Sequence, residues 1–394
     1  MFRKLVCFGL GILLCVGVCT SSTGAELDYL QSIRKFDAHF HVRGDAPYLR
    51  DILDELNMKV ITICTRGTNI ERMNLQINWA KEMSLKYPRH YGWVTTFDLT
   101  RRNEPGWIED VKEQLRDSFE HGALAVKVWK EIGMEIKNPA GEYIQIDDPM
   151  FDPIYDCLIR HKKPLITHIG EPIQAWMPLP IGPDGKPTSY WATNPKWHFY
   201  DKPDKPSYVE IMAARDRLLA KYPQMNVIGC HLGSLEIDVD EIAKRLDRYP
   251  NFAVGIGGRT RYFMAQARDK VRKFFIKYQD RILYGTDRSA GAFSRSIKPV
   301  TEQEIESSRR SILDRHRQFS RYYATDDQMK WDYYTVKGLA LPREVLQKIY
   351  HDNIVRWLPG AGKAFQKSED ASSLSRADDP TPVTSNEPPN PSNK

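Results

Sequence analysis

The sequence has few cysteines, and they lack the spacing of a disulfide framework. Three of the six lie in the first 20 residues, and the others are Cys64, Cys157 and Cys230. An odd set of widely separated cysteines at apolar positions predicts buried thiols. No pair has the short spacing of a structural zinc site. The sequence therefore predicts neither a disulfide scaffold nor a zinc finger.

No apolar run reaches the roughly 20 residues that a transmembrane helix needs. The run over residues 5–18 follows Arg3 and Lys4 and precedes a stretch of small residues. This order is typical of a signal peptide over residues 1–25, with a mature chain that begins near Glu26. We predict a secreted or periplasmic protein that keeps no stable membrane span after signal cleavage.

Two further features concern the ends of the chain. Lipoprotein anchoring at Cys19 is an alternative to free export. Val18 disfavours this anchoring, because lipoprotein sites usually have a small residue before the cysteine. Residues 366–394 are rich in Ser, Pro, Asn and Asp and nearly free of large apolar side chains. Such a segment buries too little apolar surface to offset the entropy of ordering, which predicts a disordered tail.

A concentrated basic surface is also missing. Lys and Arg outnumber Asp and Glu by 57 to 51, but the excess is spread along the chain. No contiguous basic patch and no nucleic-acid-binding motif accompanies it. We predict a small-molecule substrate and no nucleic-acid partner, and the sequence is compatible with a homo-oligomer.

What the sequence does contain is an alternation of short apolar or β-branched segments with helix-period segments. Eight strands are predicted, over residues 35–42, 59–65, 91–99, 123–129, 164–169, 226–232, 252–256 and 282–286. Eight alternating units favour a closed (β/α)8 TIM barrel, an α/β fold, over a doubly wound sheet. We predict one domain over residues 26–365, with long loops after strands five and eight and a last helix over 342–357.

Residue types suited to chemistry concentrate where these strands end. His39 and His41 end strand one, His168 strand five, His231 strand six and Asp287 strand eight. Residues two apart on a strand share a face, so His39 and His41 can converge on one ion. Active sites of (β/α)8 barrels lie at the C-terminal strand ends. Buried structural histidines are the alternative, and the number of strand ends involved disfavours it.

The same residues carry a resemblance to a known family. The sequence resembles the amidohydrolase superfamily, in the amidohydrolase-related branch that includes aminocarboxymuconate-semialdehyde decarboxylase-like enzymes. The resemblance covers nearly all of residues 35–360. Its motifs are Asp37-Ala38-His39-Phe40-His41, Val126-Lys127-Val128, Thr167-His168, His231-Leu232-Gly233, Tyr284-Gly285-Thr286-Asp287 and Asn353-Ile354-Val355-Arg356-Trp357.

The resemblance implies a metal site and roles for its residues. The implied ligands of one divalent ion are His39, His41, His168 and Asp287. Zn2+ is the expected metal, and Mn2+ is an alternative because His/Asp sites accept several ions. The resemblance also implies that Asp287 transfers protons and that His231 polarises the scissile group.

Lys127, at the end of strand four, leaves the number of metals open. Binuclear members of the superfamily carry a carboxylated lysine at this place, which bridges two metals. The branch that the chain resembles usually uses one metal or none. A lysine that pairs with a carboxylate or with substrate would look the same in the sequence, and we favour one metal.

The loops after the strands carry charged residues that predict an anionic substrate. They are Lys130, Glu171, Arg259, Arg261 and Arg288. Arginine matches carboxylate geometry through its planar fork, although these cations could equally be surface charges or partners of acidic residues.

The expected activity is that of a metal-dependent hydrolase. It would use metal-bound hydroxide on an ester, lactone or amide bond of a small anionic substrate. The alternative is a metal-dependent non-oxidative decarboxylase, a carboxy-lyase of the same branch. A binding protein that keeps a residual metal site is a third hypothesis, which the complete set of ligand residues disfavours.

Overall fold

The computed structural model describes residues 22–331 and 334–363. Cys19, the predicted disordered tail over 366–394 and most of the predicted signal peptide lie outside these residues. The predicted cleavage position before Glu26 falls within a helix, Ser22–Ser32. Of the helices in the described part, none is long and apolar enough to cross a membrane.

Within the described ranges, eight consecutive parallel strands surround one axis. They are β1 (Lys35–Arg43), β2 (Met58–Ile63), β3 (Tyr91–Val94), β4 (Val126–Val128), β5 (Leu165–Thr167), β6 (Val227–Gly229), β7 (Phe252–Gly255) and β8 (Ile282–Leu283). Each strand pairs with the next along the chain, and a parallel bridge between Thr95 and Val126 joins β3 to β4.

The eighth strand closes the barrel in two segments. The second segment, β9 (Arg288–Gly291), pairs in parallel with the end of β1. Between the segments, the Ala38 N–H donates to the Tyr284 carbonyl at 2.9 Å and the Asp287 N–H to the His39 carbonyl at 2.8 Å. The (β/α)8 barrel predicted from the sequence is therefore confirmed.

One helix precedes β1, and further helices follow the strands and cover the outside of the barrel. They are α1 (Ser22–Ser32), α2 (Pro47–Glu55), α3 (Ile70–Lys86), α4 (Trp107–Glu120), α5 (Glu131–Met134), α6 (Asp152–Arg160), α7 (Tyr190–Thr193), α8 (Tyr208–Lys221), α9 (Val239–Arg248), α10 (Thr260–Met264), α11 (Arg268–Lys277), α12 (Glu302–Ala324), α13 (Arg343–Gln347) and α14 (Asn353–Trp357). A π-helical turn, Lys348–Asp352, joins α13 to α14. The predicted last helix is thus present.

The long connection after the eighth strand differs from the expected loop. It contains the 23-residue helix α12 and a hairpin of β10 (Gln328–Trp331) and β11 (Tyr334–Lys337). Helix α12 buries Leu313, His316, Phe319 and Tyr323, which lie three or four residues apart and so share one face. The many charged residues on its other faces conceal this pattern in the sequence.

The lower part of the barrel is filled with apolar side chains. Phe36, Ile166 and Ile228 point into the interior and pack with Ile354 and Trp357 of the last helix. Burial of this layer leaves no room for solvent there. Within the described residues, the solvent-accessible end of the barrel interior is therefore formed by the polar residues at the opposite, C-terminal ends of the strands.

Candidate metal centre

The chain turns sharply where two of the predicted site residues lie. His231 (φ 55°) and Asp287 (φ 57°) both adopt the left-handed backbone region, which costs of order 1–3 kcal/mol for a residue with a side chain. Backbone hydrogen bonds hold the Asp287 turn against β1. Strain that the surrounding structure maintains at a strand end is typical of functional sites.

Asp287 contacts the two histidines of β1. Its Oδ1 lies 3.3 Å from His39 Nε2 and 3.4 Å from His41 Nε2. Its Oδ2 lies 4.0 Å from His231 Nδ1. The carboxylate thus joins imidazoles from strands one and six at one point.

Hydrogen bonds to carbonyl groups determine which ring nitrogens carry protons. His41 Nδ1 lies 3.0 Å from the Ile63 carbonyl and His231 Nδ1 lies 2.7 Å from the Gly257 carbonyl. A carbonyl oxygen can only accept, so both Nδ1 atoms are protonated donors. In a neutral ring the Nε2 atom then carries a free lone pair, which is the form that binds metals.

Two further ring nitrogens are buried without a partner. His39 Nδ1 and His168 Nε2 form no hydrogen bond with any described residue. The His168 ring lies against His231, with 4.3 Å between the ring centroids. Because an unsatisfied buried polar atom costs about 1–3 kcal/mol, the orphaned His168 Nε2 favours a ligand at the site.

The electrostatics leave neutral imidazoles around an ionised carboxylate. Burial lowers the pKa of His231 to about 3 and holds the pKa of His39 and of His168 well below the ordinary value. Burial would raise the pKa of Asp287, but the neighbouring imidazoles of His39 and His231 hold it well below its usual range. This is the protonation state that a divalent metal requires.

The donor set fits a divalent metal. Bonds of about 2.0–2.1 Å place neighbouring ligands of a tetrahedral ion roughly 3.3 Å apart, which matches the separations of Asp287 from His39 and His41. Donor atoms of His39, His231 and Asp287 also lie within 4.8 Å of one another. This group includes His231, which the resemblance assigns to the substrate, and does not include the predicted ligands His41 and His168.

Asp37 lies below the centre and supports it. The sequence patterns did not assign it a role. Its buried carboxylate accepts from the His39 N–H at 3.0 Å and from the Thr286 N–H at 3.1 Å, and also from the Thr286 hydroxyl. Burial raises the pKa of Asp37 to about 7. These bonds tie the end of β1 to the eighth strand, and thus position His39 relative to Asp287. Its place two residues before His39 was the available signal.

The centre opens into a cavity of about 1090 Å³. His39, His41, His168, His231 and Asp287 line its floor. The structure therefore brings together all five strand-end residues that the sequence singled out.

A family model for amidohydrolases matches residues 78–360. The chain belongs to the amidohydrolase family. The match includes His168, His231 and Asp287, and it begins after His39 and His41. The family depends on divalent metals, in agreement with the donor set described above.

Solved structures share the fold at low sequence identity. A 2,6-dihydroxybenzoate decarboxylase from Rhizobium is 14% identical at a TM-score of 0.44, over 82% of this chain and 98% of that one. A 4-oxalomesaconate hydratase from Rhodopseudomonas palustris is 11% identical at 0.46, over 86% and 99%. A probable 2-pyrone-4,6-dicarboxylic acid hydrolase from Acinetobacter baumannii is 11% identical at 0.43, over 83% and 99%. No curated protein matches the chain.

Lys127 lies in the wall of the cavity, beside the metal centre. The side chain is almost fully buried, and its Nζ donates to Cys230 Sγ at 2.7 Å. Among the ion pairs of the described residues, none involves Lys127. The ammonium group therefore faces the site without a carboxylate to balance it.

Two of the predicted substrate cations are already neutralised within the protein. Lys130 forms a buried ion pair with Glu171 and lies over the Trp197 ring, 4.2 Å from its centroid. Arg259 donates to the buried carboxylate of Glu236 at 2.6 Å. These pairs line the cavity wall, but they add little net charge to it.

The other two predicted cations lie away from the cavity. Arg261 is exposed and stacks on Tyr262, and Arg288 lines a neighbouring cavity instead. Cations that we did not single out in the sequence, Arg66, Arg72 and Arg295, line the mouth of the cavity. Arg66 and Arg72 follow β2 and Arg295 follows β9, so the strand-end rule could have identified them.

Proposed function

We propose that the chain is a metal-dependent hydrolase that cleaves an ester, lactone or amide bond in a small anionic substrate. The observation that carries this proposal is the contact of the ionised Asp287 carboxylate with the imidazoles of His39 and His41 on the floor of an open cavity. That arrangement places metal ligands and a base together on the cavity floor, where a bound substrate would contact them.

His39, His41, His168 and Asp287 would hold one ion, with Zn2+ as our first candidate and Mn2+ as the second. When bound, the ion supplies Lewis acidity and lowers the pKa of a coordinated water toward about 7. Asp287 presents its second oxygen, Oδ2, on the side of His231. We assign to this oxygen the acceptance of a proton from water and its return to the leaving group.

His231 can accept a proton but cannot donate one in its neutral form. Its Nδ1 proton is engaged by the Gly257 carbonyl, and burial keeps its pKa at about 3. A hydrogen bond from His231 to a developing oxyanion would need a protonated ring. We therefore assign the free Nε2 of His231 to accepting a hydrogen bond or binding metal, rather than to the polarising role that the resemblance implies.

Substitution His231→Asn separates the two roles. Loss of turnover by about 10²-fold or more with normal metal content would support hydrogen-bond acceptance from the substrate or from water. Loss of metal would place His231 among the ligands. Turnover near the wild-type value with normal metal content would contradict both.

The mouth of the cavity favours an anionic substrate. No ion pair among the described residues includes Arg66, Arg72 or Arg295. Their guanidinium groups remain positive at every physiological pH. A substrate carboxylate would be attracted to this entrance and could form bidentate hydrogen bonds there.

A decarboxylase is the second candidate, and Lys127 is the observation that favours it. An almost fully buried ammonium group without an acidic partner would stabilise a substrate carboxylate beside the centre. In that case the C–C bond to the carboxylate would break, CO2 would leave, and the carbon would take up one proton in its place, with no water added to the product.

Product analysis in 18O-labelled water tests the two candidates. The metal-loaded full chain is assayed on a panel of lactones, esters, amides and hydroxylated aromatic acids. One labelled oxygen in the organic product would support the hydrolase, and release of CO2 with no label in the organic product would support the decarboxylase. Activity that persists in Asp287→Asn would contradict both assignments.

We also propose that the chain is exported through its N-terminal signal. The support is the order of charged, apolar and small residues in 1–25. Expression in a bacterial host, followed by fractionation and N-terminal sequencing, should give periplasmic protein that begins near Glu26. Cytoplasmic protein that retains Met1 would contradict this proposal.

A further inference from the structure

A second cavity adjoins the metal cavity on the side of the eighth strand. It has a volume of about 490 Å³ and lies between β9, the turn over residues 292–300 and the first half of α12. Arg43, Ser289 and Arg295 line both cavities. The two spaces are therefore neighbours that share a wall.

This second cavity carries an excess of positive charge. Arg43, Arg288 and Arg295 line it, and no ion pair among the described residues involves any of them. Glu304 is the carboxylate among its lining residues. Three guanidinium groups against one carboxylate leave a net charge of two.

Glu304 is already used for another purpose. Its Oε2 accepts from the Thr301 N–H at 2.8 Å and from the Thr301 hydroxyl at 3.1 Å, which completes the N-terminal capping box of α12. The helix terminus is thus satisfied from within the chain. The guanidinium groups, rather than the helix terminus, are the unbalanced groups of this cavity.

The two half-buried arginines are held in place by the backbone around them. Arg43 Nε donates to the Phe293 carbonyl at 2.9 Å, which uses one of the five N–H groups of its guanidinium. Arg288 lies in β9 opposite Phe40 of β1, so the strand pairing fixes its Cα. Arginines held in this way lose less conformational entropy when a ligand binds.

Hydroxyl groups complete the lining. Ser307, Ser308 and Ser311 lie on α12 and face the arginines across the cavity. Hydroxyls add neutral donors to the charged ones without adding charge of their own. Several donors around a net charge of two match a small group with two negative charges and several oxygens.

We propose that this cavity binds a dianionic oxyanion, with the chemistry of a phosphate monoester. Guanidinium groups form paired hydrogen bonds with phosphate oxygens, and the loop after strand eight is a frequent place for phosphate in (β/α)8 barrels. The anion is either a free ligand or a group on a molecule that also reaches the metal cavity. Both sources share this chemistry.

Titration calorimetry with inorganic phosphate, at constant ionic strength, tests the site in the metal-loaded full chain. Wild type is compared with Arg288→Gln and Arg295→Gln. The matched control is Arg261→Gln, which removes an exposed arginine outside both cavities. We expect each of the two site variants to bind phosphate about ten-fold more weakly, and the control to bind as wild type does.

The outcomes separate this site from the metal centre. Phosphate affinity that is the same in Arg288→Gln, Arg295→Gln and Arg261→Gln would overturn the proposal. Asp287→Asn should retain phosphate binding at this cavity, even if the proposed hydrolysis is wrong. Phenyl phosphate should bind more tightly than phosphate if the anion belongs to a molecule that spans both cavities, and equally if the ligand is a free anion.

Discussion

Asp287 shows how a single residue combines structure and chemistry. Its backbone N–H closes the barrel onto β1, and its carboxylate contacts the imidazoles of that strand. The left-handed backbone directs the side chain back across the strand ends. The backbone conformation of Asp287 therefore links barrel closure to the geometry of the metal centre.

The Asp287 carboxylate is expected to matter more for turnover than for folding. Asp287→Asn keeps the size of the side chain and one oxygen ligand but removes the negative charge and the basicity. Turnover should fall by about 10²–10⁴-fold, as is typical for loss of a positioned acid or base. Steady-state kinetics measure the loss of turnover, and circular dichroism checks that the variant is folded.

A control for this substitution is Asp269→Asn. Asp269 is exposed and pairs only with its neighbour Arg268 among the described residues. Its replacement should leave turnover unchanged. Near-normal turnover of Asp287→Asn on a verified substrate would show that the assigned mechanism is wrong.

At the scale of elements, α12 connects the outer layer to the closing strand. His316 on this helix is buried and lies 3.3 Å from the Tyr284 hydroxyl, next to the end of β8. Burial, together with the charges of Lys35 and Arg317, lowers the pKa of His316 to about 3. The helix therefore buries a neutral imidazole.

This burial predicts a dependence of stability on pH. Between the unfolded value of 6.5 and the folded value of about 3, the unfolded chain binds a proton that the folded chain does not. Stability should therefore fall as the pH falls through this range, by at most about 1.4 kcal/mol per unit. Urea unfolding measured between pH 7 and pH 5 tests this. The free energy of unfolding of His316→Gln should fall less steeply with decreasing pH than that of wild type.

The comparison variant is His121→Gln, which replaces an exposed imidazole. It should retain the steeper slope of wild type. Equal slopes for wild type and His316→Gln would contradict the assigned role of His316.

The pairing of β9 with β1 depends on one glycine. Gly291 has φ 148°, and a Cβ there would lie 2.2 Å from the Arg43 carbonyl oxygen. Gly141 also has a positive φ, but a Cβ there would meet nothing within 4 Å. Gly291→Ala should therefore lower the free energy of unfolding by about 2 kcal/mol more than Gly141→Ala. Urea denaturation measures both, and similar losses would show that the backbone contact is unimportant.

At the scale of the whole molecule, the barrel places its apolar layer and its polar layer at opposite ends. The last helix packs against the apolar layer, and the metal centre lies above it. Four strands supply the imidazoles and the carboxylate. A metal that binds these residues would join distant parts of the chain, because the unfolded chain presents no such group.

Metal binding should therefore be stoichiometric and stabilising. Purified protein should contain close to one equivalent of a divalent ion, and removal by a chelator should lower Tm. His39→Ala and His168→Ala should lose most of the metal, whereas Lys127→Met should keep it. Elemental analysis and thermal unfolding measure these effects. Two equivalents that fall to one in Lys127→Met would instead indicate a binuclear centre.

Much of the fold and of the centre follows from local patterns in the sequence. Alternating strand and helix periods predict the barrel, and the strand ends predict His39, His41, His168, His231 and Asp287. These signals are readable because side-chain periodicity is local and because parallel strands end at the same edge of a sheet. From the second strand onward, the predicted strands overrun the observed C-terminal ends, and the residues just beyond β5, β6 and β8 leave the ladder to build the site.

The balance of charge was decided only by the tertiary structure. Lys130 meets Glu171 and Arg259 meets Glu236 through pairs of loops that the sequence does not connect. Arg288, beside Asp287 in the sequence, faces the other cavity because strand residues alternate in direction. Whether a cation is neutralised or left for a ligand depends on which side chains from separate loops meet, and that depends on the folded path of the whole chain.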